Sequence, residues 1–197
     1  MSTIGAGFSM SLDGFIAGPN DDVTHVFAWM FMGETDVKAE IGDHELDLKL
    51  TQESVEEREV MVNTLGAIIS GRRLFDMTHG WGGKHPANVP IVLLTHRESP
   101  DWIQPEWGFE VAHTLEDAIA KAKQLAGGKS IGVAGADVAQ QCLKAGVMDE
   151  IGIDLVPVLL GEGIPFFKHL GIEPIHFEIT GVTPTPHVTH LRYRVKR

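Results

Sequence analysis

A phosphate-binding turn is predicted where a short apolar run ends at Gly135. Residues 129–134, Lys-Ser-Ile-Gly-Val-Ala, have the composition of a short buried strand. Residues 136–145 then show the apolar spacing of a helix. The first turn of a helix has unpaired backbone N–H groups, and small residues let a phosphate approach them. A second interpretation stays open, in which Gly135 only provides a strand-to-helix turn with an unusual backbone angle.

This turn matches neither of the two common phosphate-binding motifs. The Rossmann fingerprint requires G-x-G-x-x-G, whereas Gly132 and Gly135 are three positions apart. The segment 128–130, Gly-Lys-Ser, has the end of a P-loop, but position 123 is Lys and these glycines precede the strand. The phosphate hypothesis therefore depends on the strand–turn–helix pattern alone.

Two adjacent arginines mark a second candidate anion site. Residues 66–70 have the pattern of a buried strand, and Gly71, Arg72 and Arg73 follow it directly. Arginines at the start of a helix can form paired hydrogen bonds with a phosphate. The alternative is that both are solvated surface residues.

Composition limits the classes of protein to consider. The chain has 197 residues, 43% of them apolar and 22% charged, as expected of one globular domain over residues 1–197. Its formal net charge of −11 argues against nucleic acid or an anionic membrane as the main partner. A single cysteine, Cys142, fits a reducing cytoplasm, and no signal peptide or membrane span is expected. No metal-binding motif is present, so no metal site is predicted.

The order of predicted elements indicates an α/β fold with a mixed sheet. Strands and helices alternate through the middle of the chain, and two strands, over 172–180 and 188–195, are predicted to close it as an antiparallel pair. A helix is expected to begin after Thr51, with Met61 on its apolar side. Residues 21–50 give no clear element. Trp81, flanked by glycines, is expected to be exposed in a functional loop.

Four segments in this order resemble the dihydrofolate reductase superfamily, and specifically the RibD C-terminal-like reductases of bacterial riboflavin biosynthesis. The segments are 11–17 (Ser-Leu-Asp-Gly-Phe-Ile-Ala), 70–73 (Ser-Gly-Arg-Arg), 92–97 (Val-Leu-Leu-Thr-His-Arg), and 132–139 with the later 149–150 and 157–163. The resemblance implies a mixed, mostly parallel sheet flanked by helices in three α/β/α layers. It also implies NADPH bound across the ends of the strands.

The resemblance assigns NADPH contacts to four groups of residues. They are Ile16 and Ala17 beside the nicotinamide; Gly71, Arg72 and Arg73 at the 2′-phosphate and pyrophosphate; Thr95, His96 and Arg97 at the adenosine; and Ala134, Gly135, Ala136, Asp137 and Val138 at the pyrophosphate turn. The superfamily usually has a Gly-Gly pair at that turn, where this chain has Ala134 and Gly135.

The expected function is NADPH-dependent hydride transfer to a small heterocyclic substrate, pterin-like or pyrimidine-like, or to a carbonyl compound. Trp29 and Trp81 would help to exclude water from the substrate pocket, and Asp13 or His79 would supply a proton. One alternative is the riboflavin-pathway reductase of 5-amino-6-(5-phosphoribosylamino)uracil, for which Lys84 is the only obvious phosphate ligand on the substrate side. Another is a non-catalytic dinucleotide-binding oligomer. Apolar residues at 164–167 and in the closing strands predict a homodimer.

Overall fold

An eight-stranded mixed sheet forms the centre of the protein. The structure is a computed structural model that describes residues 2–197. The strands are β1 Ile4–Ser11, β2 Phe15–Ala17, β3 Thr35–Ile41, β4 His44–Leu50, β5 Leu65–Gly71, β6 Ile91–Leu94, β7 Glu110–Ala112, β8 Ser130–Ala134, β9 Glu150–Val156, β10 Ile164–Pro165, β11 Phe177–Pro184 and β12 Thr189–Val195. The main sheet has the order β11-β12-β9-β1-β8-β5-β6-β7. In this spatial order, the six strands from β9 to β7 run parallel to one another, whereas β12 pairs antiparallel with both β9 and β11. This arrangement confirms the predicted mixed, mostly parallel sheet.

Helices cover both faces of this sheet. They are α1 Thr24–Phe27, α2 Gln52–Thr64, α3 Arg72–Met77, α4 Leu115–Ala126 and α5 Ala136–Lys144. Successive strand residues point to opposite faces. In β6, Val92 and Leu94 pack in the cluster that holds the apolar residues of α4 and α5, whereas Ile91 and Leu93 pack with Phe75 of α3. The three-layer α/β/α arrangement is therefore confirmed.

Local capping signals place the helix ends close to where the sequence predicts them. Thr114 accepts a hydrogen bond from the Asp117 N–H at 3.2 Å and caps α4, and Gly127 ends that helix with φ +57°. Thr51 caps α2 in the same way, through the Ser54 N–H at 3.3 Å. Each such cap contributes about 1 kcal/mol.

Residues 21–50, which gave no clear element, form α1 and the hairpin β3–β4. The hairpin packs Ala39, Leu48 and Leu50 against Trp29 in a separate small core. The prediction for the apolar side of α2 was wrong at Met61, which is 46% exposed. No helix within residues 2–197 is long and apolar enough to cross a lipid bilayer.

The two closing strands pair antiparallel as predicted, but β11 begins at Phe177 rather than near Ile172. Pro174 lies in the intervening segment and has no backbone N–H to donate to a strand ladder.

Candidate functional site

The carboxyl ends of β5 and β8 lie side by side where the chain connections diverge. The chain leaves β8 through α5 toward β9, and leaves β5 through α3 toward β6, on the opposite side. Ligands of open α/β sheets bind at such a switch point. Ser70 pairs with Ala134, so Gly71 and Gly135 follow on adjacent strands. A Cβ built on Gly135 would lie 3.8 Å from the Gly71 nitrogen, which shows how close the two backbones are.

The backbone geometry at Gly135 bears on both interpretations that the sequence left open. Its φ of +110° is a conformation that side chains disfavour, so the turn itself requires glycine. It is also the N-cap of α5 and provides no side-chain cap for the first N–H groups of that helix. The carboxylate of Asp137 accepts a hydrogen bond from Gln141 at 2.7 Å, one turn along the helix. The first backbone N–H groups of α5 therefore receive no side-chain cap from residue 135, at a turn where a built Cβ would face Gly71.

The two arginines after β5 have different environments. Arg72 is 19% exposed, donates from Nε to both oxygens of Asp76, and donates to the Glu98 carbonyl at 2.7 Å. It thereby ties α3 to the loop after β6. Arg73 is 69% exposed and pairs with Asp21, and Arg97 is 66% exposed with its guanidinium 3.7 Å from Asp76. Of these three arginines, Arg73 and Arg97 therefore have the accessible guanidinium groups.

The ends of β6 and β7 extend this edge of the sheet. Thr95 is buried, and its hydroxyl accepts from the Arg97 N–H at 3.1 Å, while His96 is exposed. His113 follows β7 with its Nδ1 2.8 Å from the Thr95 carbonyl oxygen. His113 is not among the residues that the resemblance implies, and no motif marks it. The predicted residues at 71–73, 95–97 and 134–138 therefore share one edge.

The first loop connects to this edge through Asp13. The Asp13 carboxylate accepts from the Ser11 hydroxyl at 2.6 Å and from the backbone N–H groups of Gly161 at 2.7 Å and Leu160 at 3.2 Å. The Ser11 hydroxyl and these N–H groups lower the pKa of Asp13. An ionised carboxylate occupied in this way holds two loops together and is poorly suited to donate a proton. Ile16 and Ala17 lie in β2, which pairs with β10.

The expectation of an exposed Trp81 was wrong. Trp81 is 8% exposed and packs edge-on against Phe75. The residue itself has φ +52°, and Gly80 and Gly82 have φ near +60°, so the flanking glycines curl the chain and turn the indole inward. The second proton-donor candidate, His79, is exposed and stacks on Trp102 with ring centroids 4.1 Å apart.

Trp29 belongs to a different apolar cluster, so the structure does not join Trp29 and Trp81 into one wall. Trp29 is buried, and its indole N–H donates to the Ser9 hydroxyl at 3.0 Å.

A partly buried polar network on the α2 side of the sheet was not predicted. Asp154 of β9 lies opposite His190 of β12, and the two side chains are 2.8 Å apart. The other imidazole nitrogen is 2.8 Å from the hydroxyl of Ser54 in α2. Arg192 pairs with both Asp154 and Glu57, at 3.1 and 2.9 Å. These residues come from distant parts of the sequence without a shared motif, so no local signal could reveal them.

Comparison with protein families identifies the group to which the sequence is related. Residues 2–191 match the family described as the RibD C-terminal domain. The chain belongs to this family. No curated protein matches the sequence.

Solved structures with the same fold come from several bacteria. A protein from Shewanella sp. PV-4, described as a putative riboflavin biosynthesis protein, aligns with TM-score 0.77 and 20% identity over 99% of both chains. Dihydrofolate reductase from Enterococcus faecalis, complexed with NADP(H), aligns with TM-score 0.59 and 15% identity over 99% of this chain and 97% of its own. A Thermotoga maritima diaminohydroxyphosphoribosylaminopyrimidine deaminase/5-amino-6-(5-phosphoribosylamino)uracil reductase aligns with TM-score 0.63 and 13% identity, over 99% of this chain and 57% of its own. The dihydrofolate reductase-like fold is thus established.

Proposed function

We propose that the protein is an NADPH-dependent reductase that transfers hydride to a small heterocyclic acceptor, pyrimidine-like or pterin-like, or to a carbonyl compound. The observation that carries this proposal is the close approach of Gly71 and Gly135 at the switch point, beside the uncapped start of α5; we call this place the Gly71–Gly135 crevice. Family membership supports it, as does the NADP(H) in the Enterococcus faecalis reductase of the same fold.

The crevice has the features that a phosphorylated dinucleotide requires. The N–H groups at 136–138 would hold the pyrophosphate, because no side chain at Gly135 stands in front of them. Arg73 and Arg97 would meet the 2′-phosphate with accessible guanidinium groups. Ile16 and Ala17 would lie against the nicotinamide, which supplies the hydride when NADPH is bound.

A direct test is oxidation of NADPH in the presence of pterins, pyrimidines and small carbonyl compounds, followed by the loss of NADPH absorbance. We expect at least one acceptor class to be reduced, with NADPH preferred over NADH. Arg73→Ala should lose this preference. The matched control is Arg58→Ala, which removes an arginine of α2 and should leave the preference for NADPH unchanged. Tight NADPH binding without reduction of any acceptor would favour the non-catalytic alternative.

The riboflavin-pathway uracil reductase remains the second candidate, because the family match and the Thermotoga maritima protein both favour it. It requires a cation for the ribose phosphate. Lys84, the cation considered from the sequence, forms an ion pair with Glu40. The phosphate would therefore need to separate this pair or find another partner.

We further propose a cytoplasmic location and a homodimer. Burial raises the pKa of the only thiol, Cys142, to about 11, which suits a protein that forms no disulfide. In the edge strand β11, Ile179 and Val182 are 65% and 55% exposed and could be covered by a second copy. Phe166 contributes nothing to such a surface because it is fully buried.

A further inference from the structure

An opening on the α2 side of the sheet adjoins the crevice. Gly7 lies in β1, between two paired strands, yet it is exposed and a Cβ built on it would meet nothing within 4 Å. It pairs with Gly152, which pairs with Arg192, so all three face the side covered by Glu57 of α2. Continuing the β1–β8 register by one residue places Gly7 beside Ala134, at the start of the Gly135 turn.

Asp154 borders this opening with one oxygen engaged and the other free. Its Oδ1 lies 2.8 Å from His190 Nδ1 and 3.1 Å from Arg192. Its Oδ2 forms no hydrogen bond to any residue in the range 2–197, and the side chain is 23% exposed. A carboxylate oxygen with fixed orientation and an open lone pair is suited to accept an N–H from a bound heterocycle.

Two carboxylates share one guanidinium beside this opening. Arg192 pairs with both Asp154 and Glu57, so the carboxylates outnumber the guanidinium by one. Hydrogen bonds to Asp154 and Ser54 hold the His190 ring beside them. A phosphate brought to this partly buried cluster would meet like charge.

We propose that Asp154 recognises the acceptor by accepting an N–H at Oδ2, and that this acceptor carries no phosphate near the cluster. His190 and Arg192 are positioning residues that fix the carboxylate. The inference deepens the proposed function and rests on it, because it assumes that the acceptor binds beside the nicotinamide end of the crevice.

The experiment measures binding rather than turnover. The probes are 5-amino-6-(5-phosphoribosylamino)uracil and its dephosphorylated form, each titrated calorimetrically into the protein with saturating NADP⁺. We expect the dephosphorylated form to bind about tenfold or more tightly, because of like-charge repulsion of the phosphate. In Asp154→Asn both probes should lose affinity, because the amide offers a poorer acceptor to the heterocycle that they share, and the two affinities should converge, because one of the charges that repel the phosphate is removed.

Two variants separate recognition from folding. Glu57→Gln lowers the same negative charge without touching His190, and it should also narrow the difference between the probes. Glu150→Gln is the matched control, because Glu150 lies on the same strand and face but pairs with Arg194, and it should change nothing. NADP⁺ affinity and melting temperature are recorded for each variant.

The role of Asp154 would be overturned if the parent protein bound the phosphorylated probe more tightly. It would also be overturned if the ratio of the two probes' affinities stayed unchanged in both Asp154→Asn and Glu57→Gln. The expected binding pattern in a protein that never oxidises NADPH would instead overturn the proposed reductase and leave acceptor recognition by Asp154 in place.

Discussion

Replacement of Gly135 by alanine should damage both stability and cofactor binding, in separable amounts. The backbone at Gly135 has φ +110°, so a Cβ costs about 1–3 kcal/mol of strain. No protein atom lies closer than 3.8 Å to that Cβ, so steric overlap adds little. For a chain of this length each kcal/mol lowers the melting temperature by about 2–4 °C, and the apo variant should therefore melt about 2–12 °C below the parent.

The second effect appears only with NADPH. At a hundred times its dissociation constant, a ligand of the native state adds about 2.7 kcal/mol, or a rise of about 5–11 °C. The parent should show this rise and Gly135→Ala should lose most of it, because the methyl group stands before the N–H groups of α5. Gly128→Ala is the matched control, since Gly128 has φ +90° with open space around it and precedes β8 at the opposite edge of the sheet. The reasoning fails if Gly135→Ala keeps the full rise with NADPH.

Three further predictions concern charge, pH and assembly. Arg73→Ala and Arg97→Ala should each weaken NADPH but not NADH by about 1.5–3 kcal/mol, measured by titration, whereas Arg72→Ala should mainly lower stability. Burial lowers the pKa of His85 to about 4, so the folded state takes up fewer protons than the unfolded state between about pH 4 and 6.5. Acidification to pH 5 should therefore lower the free energy of unfolding, measured in urea, by about 2 kcal/mol. His85→Asn should remove that loss. Ile179→Lys should convert the dimer to a monomer in light scattering, and a parent protein that is already monomeric would contradict the dimer.

The parts of the fold that depend on local signals could be predicted from the sequence. Helix α4 has a threonine cap at Thr114, a glycine stop at Gly127 and a clear apolar spacing between them, all within one segment. The strand before Gly135 and the helix after it were likewise evident from apolar runs and small residues. Because parallel strands end at the same edge, the strand ends agree with the grouping of residues 71–73, 95–97 and 134–138 that the resemblance implied.

The parts that depend on contacts between distant residues could not be predicted. In the hairpin β3–β4, the alternation of charged residues with Leu46, Leu48 and Leu50 is the pattern of a strand with one apolar face, but the Trp29 that covers this face comes from an earlier segment. Helix α2 reaches the sheet through Ser54 and Glu57 as well as through Val55 and Val62, so its orientation also depends on His190 and Arg192 far along the chain.

The environments of individual functional residues were equally hidden in the sequence. Arg72 and Arg73 are neighbours of the same type, yet one is tied to Asp76 and the other is accessible. Asp13 was a candidate acid from its residue type, but in the structure its carboxylate accepts hydrogen bonds from three donors. The residue types that can do chemistry were evident, and the partners that decide their roles were not.

A crystal structure of the protein grown with NADPH tests the central proposal most directly. The proposal predicts the pyrophosphate within hydrogen-bond distance of the backbone N–H groups at 136–138, the 2′-phosphate between Arg73 and Arg97, and the nicotinamide against Ile16 and Ala17. A dinucleotide bound away from the Gly71–Gly135 crevice, or a crevice that stays empty at millimolar NADPH, would contradict it.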